Sequence, residues 1–170
     1  FGQYKLDAPS SSLLIEGTSS LHDWEIEAEG MKGTASIDPA KLDQLTNLSF
    51  TVVVDELNSG KGAMDKNTNK ALNEDKYPEV TYTLNKVNKV TPAGSGKYSL
   101  STSGSLTVAG TTKPVTMEVS ATTSGSSVTF TGEYPMKMTN FNVDPPTAVF
   151  GTIKTGDEVT IKFKVNYKKS

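Results

Sequence analysis

The stretch SGSLTVAGTTKPVTMEV, residues 103–119, decides the fold. Two alternating runs, Leu106/Val108 and Val115/Met117/Val119, flank the segment Gly110-Thr111-Thr112-Lys113-Pro114. A period of two is the mark of a half-buried strand, and two such runs about a turn make a β-hairpin with one apolar and one polar face. Thr and Lys of the TTKP turn face water in this reading, and Pro114 fixes its backbone. The apolar face then meets either a core packed solid with side chains or a hollow that holds something else.

The same alternation recurs on both sides of the hairpin. In EVTIKFKVNY, Val159, Ile161, Phe163, Val165 and Tyr167 share one face. SVTFTGEYPMKM repeats the pattern with Val128, Phe130, Tyr134, Met136 and Met138, and Gly132 leaves a gap in that row or marks a bend. KYSLSTSGSLTV places Tyr98, Leu100, Leu106 and Val108 together, with Gly104 between them. Leu13 and Ile15 belong to the first strand, followed by Trp24, Ile26 and Ala28, then Ala35 and Ile37, then the run Leu48 to Val54. In EVTYTLNKVNKV the phase slips between Leu84 and Val87, which predicts a bulge near Asn85 or Lys86. Two segments read as helix. Asp38 and Pro39 form a good N-cap and first helical residue for one or two turns. Met64, Ala71 and Leu72 share one face of a longer helix over about 62–73, which Pro78 terminates.

About eight strands with short connections and one short inserted helix predict an all-β fold, an eight-stranded antiparallel barrel, over a single domain at 1–170. Strands of about ten residues exceed the usual five or six and favour closure over a small sandwich. A barrel of eight strands is either filled by its own side chains or holds one elongated ligand. Small inward residues (Gly104, Gly132, Ala28, Ala35, Ala121) leave room for a guest or match large neighbours across the barrel; pattern alone leaves both open.

Composition narrows the chemistry. The 170 residues carry 17 basic and 19 acidic side chains, a net charge of −2, and every basic residue is Lys. Without a basic stripe, nucleic acid is not expected as a partner. Without Arg there is no bidentate clamp for phosphate, and without Cys there is no disulfide or thiolate metal site. No run reaches the roughly 18 apolar residues of a membrane span, so no stable membrane insertion is expected. The chain opens at Phe1 and not at Met, which fits a mature form with a leader removed. His22 is the single imidazole, and Asp23 beside it points to the opposite face of a strand. With no Gly-x-Ser-x-Gly elbow either, His22 reads as a turn or strand residue bonded to backbone, not a catalyst. The acid pairs Asp55/Glu56, Glu74/Asp75 and Asp157/Glu158 lack the spacing of a calcium loop and read as solvated surface. Neither a metal, a cofactor nor an enzymatic role is expected.

Several stretches resemble the YceI-like family of small exported lipocalin-like proteins. The hairpin resembles that family's signature Gly-x-Leu-Thr-x-x-Gly-x-Thr-Lys-Pro-Val. The block 30–84, with Lys76-Tyr77-Pro78 after a polar helix, resembles its centre, TNFNVDPP and the last strand resemble its end, and TSSLHDWEIEAEG resembles the opening of a subgroup. The resemblance runs from about Leu13 to the C-terminus. It implies a lipocalin-like barrel in the periplasm that binds a long-chain isoprenoid lipid, of polyprenyl or quinone type, along an apolar tunnel, for transport or storage. The chain differs from many relatives in lacking Arg, offering only Lys61, Lys66, Lys70 and Lys76 around the polar helix. The alternative is an envelope structural or stress-related interaction protein whose barrel is filled. In either case the chain reads as a monomer or homodimer.

A tunnel for such a chain needs apolar walls and a polar mouth. The candidates for its lining are Trp24, Ile26, Phe50, Val52, Met64, Leu72, Tyr82, Leu84, Leu106, Val108, Met117, Phe130, Tyr134, Phe141 and Phe150, with ordinary core packing as the alternative for each. The helix is expected to cap one end, with Met64 and Leu72 facing inward.

Overall fold

The structure, a computed structural model, describes residues 2–148 and 151–170. Its central hairpin joins β8 (Lys97–Val108) to β9 (Thr111–Ser124) through only two residues, Ala109 and Gly110. Both have positive φ, 48° and 82°, as the tightest hairpin turns demand. The turn is therefore shorter than the sequence pattern predicted. Thr111 to Pro114 are strand residues, with Pro114 opposite Ser105. Gly110 is required twice over. Its φ favours glycine, and a Cβ there would lie 2.6 Å from the Tyr77 ring. Lys76-Tyr77-Pro78 is thus seated directly on the Gly-Thr-Thr-Lys-Pro hairpin, so the two most recognisable motifs of the sequence form one contact.

The remaining strands are β1 (Gly2–Leu6), β2 (Ser12–Ser19), β3 (Trp24–Ala28), β4 (Met31–Ile37), β5 (Thr46–Val53), β6 (Leu57–Asn58), β7 (Glu79–Gly94), β10 (Ser127–Lys137), β11 (Thr147–Ala148) and β12 (Ile153–Lys169); the helix α1 spans Gly62–Ala71. Pairing reduces these segments to eight staves. β1 with β2, β3 with β4, and β5 with β6 are three long strands, each interrupted once. β2 pairs β3 while β1 pairs β4, and β4 pairs β5 while β3 pairs β6. The meander continues through β7, β8, β9, β10 and β12, and β12 closes the barrel on both β1 and β2. The result is the closed eight-stranded antiparallel barrel that the alternation predicts.

The interruptions have local causes. Pro9 supplies no N–H to a ladder, and the gap between β1 and β2 is stitched by Asn166 of β12. Its carbonyl accepts from the Asp7 amide at 2.8 Å, and its own amide donates to Ser11 Oγ at 2.9 Å. The predicted bulge in β7 is present, with a register shift between Leu84 and Lys86. The helix predicted from Asp38 is not. Asp38 accepts the Ala40 amide on its carboxylate at 3.0 Å, which makes a turn, and only a single 3-10 turn, Leu42–Gln44, follows. Its Leu42 is buried beneath the barrel.

Two seams of the barrel are incomplete: β5 meets β7 only over Ser49–Val53 against Glu79–Thr83, and the other lies between β9 and β10. β9 and β10 pair only over Ser120–Ser124 against Ser127–Thr131. Above that the two strands diverge, and the segment following β10 packs into the fork. This segment is held by Asp157, whose carboxylate accepts the Thr139 amide at 2.9 Å and the Thr139 hydroxyl at 2.5 Å. The Thr139 hydroxyl, then its amide, hold the Asp157 carboxyl below its ordinary value, against a smaller opposing effect of desolvation. A lowered folded pKa adds stability that is complete above the unfolded value of about 4 and is lost as pH falls through the folded one. Acid titration of unfolding should accordingly show wild type losing stability relative to Asp157→Asn as pH falls from about 5 to about 2. Parallel curves would mean that the contact contributes nothing.

Candidate functional site

The inward faces of the staves do not fill the barrel. A cavity of about 490 Å³ runs through its upper part, within the usual span of about 300–1,000 Å³ for small-molecule sites. Its wall is aliphatic and aromatic. No carboxylate lines it, and Lys61 and His22 are the only Lys and His that do, among the described residues.

Thirteen of the fifteen lining candidates face this cavity: Trp24, Ile26, Phe50, Val52, Met64, Leu72, Tyr82, Leu84, Leu106, Val108, Met117, Phe130 and Tyr134. Phe141 does not. It occupies the fork beside β9, buried in a cluster with Leu106, Val108, Val115 and Val143, because the turn Met138–Phe141 leaves the sheet and the strand alternation no longer applies. Phe150 lies outside the described residues. The inward row of β12 was readable as one face yet not singled out: Val159, Ile161, Phe163, Val165 and Tyr167 all line the cavity, as do Val115 and Val119 of β9. Period two was the signal for each. Leu48 shares the phase of Phe50 and Val52 in β5, whereas Leu45, next to the 3-10 turn Leu42–Gln44, carries no such signal.

The small inward residues have an unexpected role. Each of four glycines is covered by an aromatic ring from another strand. A Cβ would lie 2.2 Å from the Trp24 ring at Gly17, 2.3 Å from the Tyr82 hydroxyl at Gly104, 2.7 Å from the Phe163 ring at Gly132 and 2.6 Å from the Tyr167 hydroxyl at Gly33. Glycines on a sheet covered by a neighbouring aromatic are a known device of curved sheets. Here they let bulky rings lie along the wall, so the hollow does not come from the missing Cβ atoms themselves. Gly104→Val should force the Tyr82 ring off the wall into the lumen. We expect a loss of about 1–3 kcal/mol by denaturant unfolding; an unchanged midpoint would show that the ring relocates freely.

The buried polar groups of the wall are already partnered. Tyr167 Oη donates to the Ser49 carbonyl at 2.8 Å and Thr102 Oγ1 donates to the Met117 carbonyl at 3.0 Å; nearer the surface, the half-buried Trp24 donates its Nε1 to the Thr18 carbonyl at 2.9 Å. Burial pushes the Tyr82 phenol up, the Thr102 hydroxyl partly offsetting it, and burial pushes Tyr167 up further, with a smaller push from Tyr82. Both stay neutral, and the lower lumen presents no charge.

The upper end is different. α1 crosses it with Ala63, Met64, Asn67, Thr68, Ala71 and the following Leu72 toward the cavity, a helical stripe at i, i+1, i+4, i+5, i+8 and i+9. No residue of α1 is fully buried; Met64, Ala71 and Leu72 pack half-buried against the core at the rim of the cavity. The helix is tethered by Asp65, which accepts the Ser59 amide at 2.9 Å and hydroxyl at 2.7 Å. Opposite it, the loop joining β2 to β3 carries His22, whose Nδ1 lies 2.7 Å from the Asp23 carbonyl. Backbone bonding, as read from the sequence, is its role. Ser19 Oγ accepts from the Leu21 and His22 amides in the same loop. Leu21 is 66% exposed there, the one large apolar side chain so exposed among the described residues. The polar mouth thus stands at the helix end, and the apolar wall descends from it.

The family model for the YceI-like domain matches residues 4–167. The chain belongs to the YceI-like family. The match begins nine residues before the start read from the sequence, because β1 is an integral stave that closes on β12. The YceI-like fold is shared with BcnA of Burkholderia cenocepacia, at a TM-score of 0.76 and 24% identity over 95% of this chain and 98% of that one. A polyisoprenoid-binding domain from Saccharophagus degradans, implicated in plant cell wall breakdown, superposes equally well at 0.76, with 12% identity over 98% of both chains. The Campylobacter jejuni YceI protein matches at 0.66, with 17% identity over 85% of this chain and 84% of that one. At these identities the likeness speaks for the fold. No curated protein matches the chain. No described helix of this YceI-like chain is long and apolar enough to cross a membrane, and no group of His, Cys, Asp or Glu able to hold a metal occurs among the described residues.

Proposed function

We propose that this YceI-like protein binds, without catalysis, the apolar chain of a long isoprenoid lipid in its lumen, and carries or stores that lipid in the periplasm. The observation that carries the reading is the continuous cavity of about 490 Å³ with an apolar wall and a polar mouth. A chain enclosed there gains about 0.8 kcal/mol per buried methylene, which needs no head-group clamp and so no Arg. The name of the Saccharophagus degradans relative, a polyisoprenoid-binding domain, supports the isoprenoid class. The periplasm rests on the family resemblance alone and is checked by cell fractionation. The rival reading, a barrel plugged by its own side chains, describes only the lower end, where Tyr4, Ala35, Ile37, Leu42, Ala121 and Val128 are buried and the cavity does not reach.

The test is extraction of protein purified from its own cells under detergent-free conditions, followed by mass spectrometry. One prenyl lipid approaching equimolar amount is expected. Protein that carries no lipid and also fails to take up any prenol offered to it would overturn the proposal.

A further inference from the structure

The lumen is open at the helix end and blind at the other. Its lowest lining residues are Leu45, Leu48, Leu100, Val119, Val165 and Tyr167. Directly beneath them Tyr4, Ala35, Ile37, Leu42, Ala121 and Val128 are buried in one packed cluster, with Leu6, Val90 and Tyr98 half-buried against it, and this packing closes the axis. The floor is also stiff. Tyr167 is 1% exposed, its hydroxyl is fixed on the Ser49 carbonyl at 2.8 Å, and its ring meets Phe130 edge-on at 5.7 Å. Leu100 is fully buried opposite Val119. The mouth is pliant by contrast. Met64, Met136 and Met138 line it, and methionine adapts to irregular guests.

We propose that the floor formed by Tyr167, Leu100 and Val119 is a length stop. An apolar chain enters tail first, its buried length is fixed by the distance from mouth to floor, and any excess stays in water at the mouth. This rests on the lipid-binding reading and adds to it the length of chain that the protein selects. From Val159 near the mouth to Tyr167 the wall of β12 runs about 26 Å at about 3.3 Å per residue. With strands tilted by about 40° that is about 20 Å along the axis. An extended chain advances about 1.2 Å per bond, judged from the extended polypeptide, and an isoprene unit adds four bonds. The stop therefore falls at about four isoprene units.

The experiment measures competition by all-trans prenols of two to nine isoprene units against 1-anilinonaphthalene-8-sulfonate bound in the lumen. It uses delipidated wild type, Val119→Phe and Leu100→Ala. For wild type, affinity should rise steeply, by up to about fourfold per enclosed methylene, and level off beyond about four units. Val119→Phe should move the break one unit shorter and Leu100→Ala one unit longer. Val119→Phe fills empty space, so it decides the matter by itself should Leu100→Ala not fold. An unbroken rise through nine units, or a break at the same length in every variant, overturns the stop while leaving lipid binding intact. Failure of every prenol to compete overturns both.

Discussion

Tyr167→Ala should destabilise the protein by about 3–5 kcal/mol, the cost of deleting a buried aromatic ring. For a chain of 170 residues, each kcal/mol lowers Tm by about 2–4 °C, so a fall of about 6–20 °C is expected. Three things fail together. The ring leaves a hole against Phe130, the Ser49 carbonyl loses its donor, and Gly33 is left facing a void that its missing side chain had ceded to the phenol. Tyr167→Phe separates the second loss from the others and should cost about 1–3 kcal/mol, the penalty for a buried acceptor left unpaired. Urea unfolding measures both. The sign of the pH effect follows from the raised phenol. Its contribution is whole below the unfolded value of about 10 and declines as pH rises past it, so wild type should lose its advantage over Tyr167→Phe only in strong alkali. An alanine variant within about 1 kcal/mol of wild type would show that β12 closes on β1 without help from this residue.

Removing the guest should produce an effect of similar size with no mutation at all. A ligand that binds only the folded state at 100 to 1,000 times its Kd adds about 2.7–4.1 kcal/mol. At about 2–4 °C per kcal/mol, delipidated protein should melt about 5–15 °C below the loaded form and recover when a prenol is added back. The largest gain in amide protection on reloading should fall in residues 62–72, since α1 has no fully buried residue of its own and its inward stripe lines the lumen. Equal melting temperatures for loaded and stripped protein would mean that the guest is adventitious.

Most of the barrel was legible because one rule, alternation, governs most of it. The inward rows of β8, β9, β10 and β12 follow directly from period two, and the bulge in β7 announced itself as a slip of phase. The rule fails where the chain leaves the sheet. Phe141 lies out of phase with the apolar row of β10, and a 3-10 turn carries it into the fork. Asp38-Pro39 has the residues of a helix start, but an Asx turn consumes the cap, and only one turn of 3-10 helix follows. β1 went unread since its five residues gain their stability from β4 and β12, which are distant in sequence. The hollow itself was the least legible. Whether a glycine marks empty space or the shadow of an aromatic ring depends on the neighbouring strand, and at Gly17, Gly33, Gly104 and Gly132 it is the ring.

The fork between β9 and β10 bears on how this vessel fills. A sheet hydrogen-bonded all the way round resists stretching, because widening it anywhere means breaking backbone bonds. Here the ladder between β9 and β10 exists only at the lower end. Higher up, Phe141 and Val143 stand in for the missing ladder, and side chains can slide where amide bonds cannot. This seam is therefore fixed near the floor of the cavity and adjustable toward its mouth.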